Sequence, residues 1–394
     1  MNILFYRYGN ICEPDIVSAF SSLGINVIEE KKEIHDKKRS PSDCAKAVSD
    51  LITKHSPIFV FSINFFPIVA EICHIHGVLY LCWSVDCPVM ELFTTAVQYP
   101  TNRIFLFDRE QYNRIHPFNP NCIYYLPLAI NADRFDSVIK SINEKDRTTY
   151  SADISFVGSL YSDRSKLKEL TNLSAYARGC IDGIIESSLL VYGYNFMEEA
   201  ISDALVDEFK KVIPNFFSYS NLIANVDKYA IAHRYLGIEA AGIERTRTLN
   251  KLAQHFTVDL YTNTEQTNLP SSVRNHGTIE SLYGMPKVFH LSKINLNMTI
   301  KPIQSGLPLR IFDIMGCGGF LMTNYQAELT DYFEIGMDLE SYSSLDELID
   351  KCSYYLKHED ERKRIALHGY ETVKQFHTYP LRIAEMIRNA SSSI

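Results

Sequence analysis

The chain has 394 residues, more than one hydrophobic core ordinarily serves, so two domains of usual size are expected. With 46% hydrophobic and 22% charged residues, 17 Gly and 15 Pro, the composition excludes a disordered or low-complexity chain. Lys and Arg number 39 against 47 Asp and Glu, a net charge of −8, which offers no general positive field to a nucleic acid or an anionic membrane.

From Met1 to Ile130, short apolar runs alternate with amphipathic stretches, the pattern of a parallel sheet with crossover helices. Strands are predicted at Ile3–Tyr6, Asn26–Glu29, Ile58–Ser62, Val78–Trp83, Arg103–Phe107 and Cys122–Pro127. Helices are predicted at Asp15–Leu23, Ser42–Lys54, Pro67–His76, Pro88–Val97 and Arg109–His116, several of which open on Asp, Ser or Pro as helix starts do. The longest apolar stretch, Ile58 to Ile75, is broken by Asn64, Pro67 and Glu71 and reads as strand plus helix, not as an integral membrane span. Met1 leads directly into Asn-Ile-Leu-Phe-Tyr without a basic or long apolar leader, and a cytoplasmic location is expected. The nine cysteines are scattered, with only Cys82 and Cys87 close together, so neither a disulfide framework nor a zinc site is expected.

The polar run Lys140 to Tyr150 reads as a linker. A second alternating half then opens with the strand Asp153 to Val157 and Gly158, followed by a long, mainly helical stretch to about Phe256 that includes Met197–Val212 and Ile238–His255. Strands at Val258–Tyr261, Ile294–Met298 and Gly319–Thr323 alternate with helices at Leu309–Gly316, Ala327–Phe333, Leu345–Lys357 and Glu359–Phe376. The expected organisation is an N-terminal Rossmann-like domain over 1–140 and a C-terminal one over 151–378 carrying a helical insertion over about 163–256. A helix over 379–394 would return to the first domain.

Chemistry-bearing residues are densest between Ser292 and Asn324. In the strand there, Asn295 and Asn297 share one face, an arrangement that strands seldom adopt without a use for the amides. Arg310 and Asp313 fall on adjacent turns of one helix face just after Pro308. The amides of that helix start, with Arg310, could hold a diphosphate, and Asp313 could accept from two ribose hydroxyls. A surface ion pair on a core helix is the plainer alternative. Asp86 follows a predicted strand and precedes Cys87-Pro88, which places a carboxylate at the carboxyl end of a strand, as a base or as a helix cap. Asn10 and Glu13, in the first strand-to-helix loop, carry the same two readings.

The run from Lys293 to about Phe333 resembles the C-terminal half of GT-B glycosyltransferases. It is most similar to the spore-maturation, CgeB-like bacterial group, in its Arg310, Asp313 and Cys317-Gly-Gly-Phe320 turn. Leu126-Pro-Leu-Ala-Ile-Asn-Ala-Asp-Arg-Phe135 resembles the interdomain run of those enzymes, and Phe156-Val-Gly-Ser-Leu-Tyr-Ser-Asp-Arg164 the first strand and loop of their donor domain. The helices from Tyr342 to Arg382 look like their closing helices, and Cys82-Trp-Ser-Val-Asp-Cys-Pro88 is a looser match. The resemblance implies an α/β fold of GT-B type, two Rossmann-like β/α/β domains facing a central crevice, and a glycosyltransferase of hexosyl type. Its co-substrate would be a nucleoside-diphosphate sugar, most readily a UDP-sugar, and its acceptor a protein or glycan hydroxyl, with no other cofactor, no metal and no nucleic-acid partner.

On the donor side the resemblance implies Asp313 on the ribose; Gly158, Arg164, Lys293 and Arg310 at the pyrophosphate; His276 and Gly277 beside the base; and Asn297, Gly318 and Gly319 along the nucleotide. Asp86 and Arg310 would be catalytic, and Asn10, Glu13 and Trp83 would face the acceptor. The first Glu of the retaining enzymes' Glu, seven residues, Glu pattern falls on Ser305, so the stereochemistry stays open. A non-catalytic sugar-nucleotide or glycan-binding subunit is the alternative reading, and an epimerase or hydrolase a third, because fold does not fix chemistry.

Overall fold

A computed structural model describes residues 1–213, 221–265 and 268–391. The chain divides into two compact units. The first comprises residues 1–131, the described part of 219–225, and the chain from 377 onward; the second takes the remainder.

The first unit is built on a parallel six-stranded sheet: β1 (Asn2–Tyr6), β2 (Asn26–Glu30), β3 (Phe59–Ile63), β4 (Leu79–Ser84), β5 (Asn102–Leu106) and β6 (Ile123–Tyr125), in the order β2-β1-β3-β4-β5-β6. Every residue of β3 and β5 is buried; β3 is accordingly a near-continuous apolar run, whereas β5 opens on Asn102 and Arg103, whose side chains donate to the carbonyls of Ala96 and Val97 and of Asn102. Helices Glu13–Ser22, Pro41–His55, Pro67–His76 and Arg109–Ile115 fall where the amphipathic stretches predict them. Pro88–Val97 does not form the predicted helix; it forms two short 3₁₀ turns, Met90–Phe93 and Thr95–Gln98. Thr94 between them is extended and bridges Leu222, with Thr95 N donating to Asn221 O at 2.9 Å and Ile223 N to Phe93 O at 2.9 Å. Those sheet-like bonds take the backbone groups that a continuous helix would need. The helix Tyr379–Ser391 packs on Glu13–Ser22 within this unit, anchored by Ile130 N to His377 O at 3.0 Å and Tyr379 N to Ile130 O at 2.9 Å.

The second unit holds another parallel six-stranded sheet: β7 (Ala152–Val157), β8 (Val258–Tyr261), β9 (Val273–Asn275), β10 (Ser292–Asn297), β11 (Leu321–Asn324) and β12 (Glu340–Tyr342), in the order β12-β11-β10-β7-β8-β9. Ile154, Phe156, Leu260, Ile294, Leu296 and Met322 lie at its core, each contributing about 1.5–3 kcal/mol by burial. Helices Leu309–Gly316, Leu345–Lys357 and Glu359–Phe376 coincide with the predicted spans. The predicted linker is instead helical. Ala132–Lys140 and Glu144–Tyr150 belong to the second unit, the latter opened by a reciprocal Asn143–Asp146 cap and tied down by Lys287 Nζ on Asp146 at 2.9 Å.

In the insertion, Met197–Val212 splits at Ile201 because Ser202 caps a new helix, Asp203–Val212. The predicted Ile238–His255 is Gly237–Leu252, entered through a π-helical turn, Ile231–Leu236. Residues 214–220 of the insertion and 392–394 of the closing helix lie outside the described residues. Among the described residues, no helix is long and apolar enough to cross a membrane.

Candidate active site

In a parallel sheet the carboxyl ends of all strands open on one edge, where loops and helix starts gather. At that edge of the second unit, Arg245 of helix Gly237–Leu252 ties two strand ends together. Its guanidinium donates to the carbonyls of Ser159, after β7, and Met298, after β10, and lies 4.8 Å over Tyr161 and 5.3 Å over Phe156. A Cβ at Gly158 would crowd the Phe156 ring at 3.2 Å, while Arg245 Nη1, at 3.7 Å, would be in ordinary contact with it. The Arg245 Nε is buried without a hydrogen-bond partner among the described residues.

Arg310 enters the same edge from the first turn of Leu309–Gly316, a helix whose amino end no side chain caps. It lies 5.1 Å over Phe289, 2.6 Å from Met285 Sδ and 3.3 Å from Asp313 Oδ2, so the predicted Arg310–Asp313 pair is formed. Burial holds both guanidinium groups below the usual arginine range, and the charge of Arg310 adds to the effect on Arg245. Two desolvated cations near an open helix amino end make a site for an anion.

Other predicted donor residues divide by strand end. Arg164 is exposed in the loop after β7, 5.3 Å over Tyr161, the ring that Arg245 also covers. Gly277 follows β9, takes a left-handed φ of +72° and has open space around its Cα. His276 is occupied locally, its Nε2 2.7 Å from Asp259 Oδ1 and its ring stacked 4.8 Å from Tyr261.

Lys293 is a correction: it is the second residue of β10, at the opposite end of the strand, where it pairs with Asp153 at 2.7 Å. Asn297 is another: it is buried at the carboxyl end of β10, and its amide nitrogen donates to Thr299 Oγ1 and Thr323 Oγ1, both at 2.9 Å, which joins β10 to β11. Asn295 does similar work, accepting from Ser155 Oγ and donating to Phe289 O, each at 2.9 Å. Gly318 and Gly319 precede β11 and so also lie at the amino ends of the strands, at the other end of helix Leu309–Gly316 from Arg310, whose charge still reaches the neighbouring Cys317. Gly319 is glycine because a Cβ would lie 2.6 Å from Phe289 O and 2.8 Å from Asn295 Nδ2, and Gly318 turns the chain at a φ of +68°. Ser305 is buried, its hydroxyl donating to Glu328 Oε1 at 2.6 Å.

The carboxyl edge of the first sheet gathers Tyr8 after β1, Asn64 after β3 and Asp86 after β4. Asn64, held at a φ of +57°, is the hub. Its amide nitrogen donates to Asp86 Oδ2 at 2.6 Å and Tyr8 Oη at 2.8 Å, while its oxygen accepts from Val85 N at 3.0 Å and Asp86 N at 3.3 Å. Asp86 stays exposed to solvent, yet the crowding of its loop desolvates the carboxyl enough to raise it above the ordinary aspartate range, and the Asn64 bond pulls it back in part. Asp86 does not serve as an α-helix cap, since an α-helix does not follow it.

Asn10 donates to Tyr8 Oη at 2.9 Å and accepts from Cys12 N at 3.1 Å, which shapes the loop beside this cluster. Glu13 is a correction. It is fully buried, receives the amides of Tyr8 and Gly9 at 2.9 and 3.1 Å and pairs with Arg7 at 3.0 Å, so it braces the loop from inside. Trp83 is also corrected: it is wholly buried in β4, donates to Leu126 O at 3.3 Å and presents nothing to an acceptor. Asn64 and Arg245 were missed; for Asn64 the signal was a polar residue ending an apolar strand. Among the described residues, no three His, Cys, Asp or Glu side chains are grouped to hold a metal ion.

Residues 245–388 match the model of a glycosyl transferase-like family. No curated protein matches the sequence. Among solved structures, the chain is similar to Anabaena Alr3699/HepE in complex with UDP-glucose, at 10% identity, with 100% of both chains covered and a TM-score of 0.56. It is similar to sucrose-phosphate synthase from Thermosynechococcus elongatus at 9% identity, 100% of both chains and a TM-score of 0.58. A glycosyltransferase from Rickettsia africae matches at 9% identity, with 100% of this chain and 98% of that one covered and a TM-score of 0.55. The chain has the α/β fold of GT-B type, and its residues 245–388 form a glycosyl transferase-like segment.

Proposed function

We propose that the protein transfers a sugar from a nucleoside-diphosphate donor, a UDP-sugar first among them, to a hydroxyl of a protein or glycan acceptor, in the cytoplasm and without a metal ion. The observation that carries this reading is the Arg245–Arg310 pair beside the uncapped start of helix Leu309–Gly316. A diphosphate there relieves the repulsion between the guanidinium groups and accepts charge-assisted hydrogen bonds from both. Asp313 next to Arg310 receives the ribose hydroxyls, Gly277 offers open backbone to the base, and Gly158 and Arg164 line the approach. The UDP-glucose held by the Anabaena neighbour supports UDP as the base-bearing part. The Cys317-Gly-Gly-Phe320 turn supports a place near the spore-maturation group.

In this reading the first unit takes the acceptor and the second the donor. As the acceptor oxygen bonds to the anomeric carbon, its proton passes to the Asp86 carboxylate. The bond from that carbon to the donor phosphate oxygen breaks, and the electron pair leaves on the nucleoside diphosphate, where Arg310 and Arg245 stabilise the developing charge. Tyr8 and Asn64 hold the base in place.

The test is thermal stability of the protein with UDP, GDP, CMP and ADP and their sugars, beside Arg310→Ala. A ligand at 100 times its Kd stabilises the native state by about 2.7 kcal/mol. A shift with UDP that the variant loses supports the donor site. No shift with any nucleotide overturns it, and a UDP-sugar that binds but is never transferred replaces the enzyme by a binding subunit.

A further inference from the structure

A cavity of about 520 Å³ opens in the second unit, between helices Ala132–Lys140 and Glu359–Phe376 and the turn at Gly318. It lies by the amino ends of the strands, because Gly318 precedes β11, whereas Arg245 and Arg310 gather at the carboxyl ends. Its size is that of small-molecule sites, roughly 300–1,000 Å³. Ile139, Ala366 and Leu367 supply an apolar wall, and Leu367 is 57% exposed, an apolar side chain that the fold leaves uncovered. Lys140, Lys363 and Lys374 stand around it.

The charge of the lining is unlike that of the chain, which carries −8 overall. Asp136 is the one carboxylate among the lining residues, and it is engaged by Tyr370 Oη at 2.7 Å and Lys374 Nζ at 2.5 Å. Lys363 pairs with Glu359 at 2.5 Å, and Lys140, four residues after Asp136, makes no ion pair within 4 Å among the described residues but adds its field to that on Asp136. The imidazole Nδ1 of His290 donates to Cys317 O at 2.8 Å, which fixes its ring at the wall. An apolar wall whose lining holds three lysines against one aspartate, two of those lysines already in ion pairs, suits one class of molecule: burial of its apolar body supplies affinity, and the remaining positive field selects a negative head.

We propose that this cavity binds a small amphipathic anion, an acyl chain or ring bearing a carboxylate or a phosphate. The site is independent of the donor site, and its ligand makes no contact with Arg245 or Arg310.

Calorimetric titration of the full chain with decanoate, decyl phosphate, decanol and inorganic phosphate tests it. Decanoate or decyl phosphate should bind at least tenfold more tightly than decanol or inorganic phosphate, and whichever head group binds identifies carboxylate or phosphate as the source. Leu367→Asp, at an exposed position, and the double change Lys140→Glu with Lys363→Glu should each weaken that binding at least tenfold while leaving the response to UDP unchanged. Equal binding of decanol and decanoate, or wild-type affinity in both variants, overturns the proposal. Ala366→Trp fills the cavity from inside, and the two surface variants decide the matter should it fail to fold.

Discussion

The amide of Asn64 donates to the carboxylate of Asp86 across 2.6 Å, although the two residues end different strands of the first sheet. The same amide nitrogen also reaches Tyr8, and the amide oxygen takes the backbone N–H groups of Val85 and Asp86, so one side chain sets both the loop and the carboxylate on it. Asn64→Gly keeps the left-handed backbone and removes the amide. Misplacing a reacting group by an ångström costs on the order of a hundredfold in rate. Sugar transfer in Asn64→Gly should therefore fall by ~10- to 100-fold with UDP affinity unchanged. An equal loss in both readouts would make Asn64 a purely structural residue.

The pH dependence follows from the partial desolvation of Asp86 in its loop. As a base it works only when ionised, and its pKa is raised, so transfer should decline as pH falls through a value above that of an exposed aspartate. Because the Asn64 bond favours the ionised form, Asn64→Gly should move this acid limb further upward. Stability runs the other way. A folded-state pKa above the unfolded one gives a contribution present below the unfolded pKa and lost as pH rises through the folded pKa. Asp86→Asn should thus melt higher than the wild type at pH 7, with the difference closing in acid where Asp86 is protonated. A melting profile with no pH-dependent gap would show that the carboxylate pays no cost for its place.

At the second sheet, removal of either arginine should weaken UDP. A hydrogen bond to a charged group contributes about 1.5–3 kcal/mol, so Arg310→Ala and Arg245→Ala should each lower UDP affinity by roughly ten- to hundredfold in calorimetry. Asp313→Ala should weaken UDP comparably and leave inorganic diphosphate binding intact, since the ribose is its target. Lys293→Ala should change neither, because it pairs with Asp153 at the far end of β10.

Much of the fold is legible because each half repeats a buried apolar strand and an amphipathic helix, and Leu309–Gly316, Leu345–Lys357 and Glu359–Phe376 follow directly from that periodicity. Strands β9 and β12 are not legible: Val-Arg-Asn and Glu-Ser-Tyr are three-residue edges too short to show alternation. Residues 144–150 are polar all round, and what makes them a helix is a cap at Asn143 and an ion pair with a lysine far along the chain. Arg310 and Asp313 are visible as a pair because their spacing is local. Arg245 is hidden because its partners, the carbonyls of Ser159 and Met298, lie 86 and 53 residues away. Glu13 and Trp83 have residue types suited to an acceptor site, but burial, which the sequence does not display, gives both to the interior.

The two glycines before β11 separate a packing requirement from a conformational one. At Gly319 an added Cβ would intrude at 2.6 Å on Phe289 O and at 2.8 Å on Asn295 Nδ2, the two ends of a hydrogen bond that anchors β10 to the preceding helix. Neither partner can retreat without breaking that bond, so Gly319→Ala should cost about 1–3 kcal/mol, the range for overpacking a core. Gly318 has a left-handed φ of +68° but open space, with His290 Nδ1 at 3.7 Å as its nearest neighbour. Its alanine variant meets only the backbone penalty of about 1–2 kcal/mol. Urea unfolding should rank Gly319→Ala as the less stable of the two, and calorimetry should find both folded variants binding UDP as the wild type does. Loss of UDP affinity in Gly318→Ala at unchanged stability would return this turn to the nucleotide site.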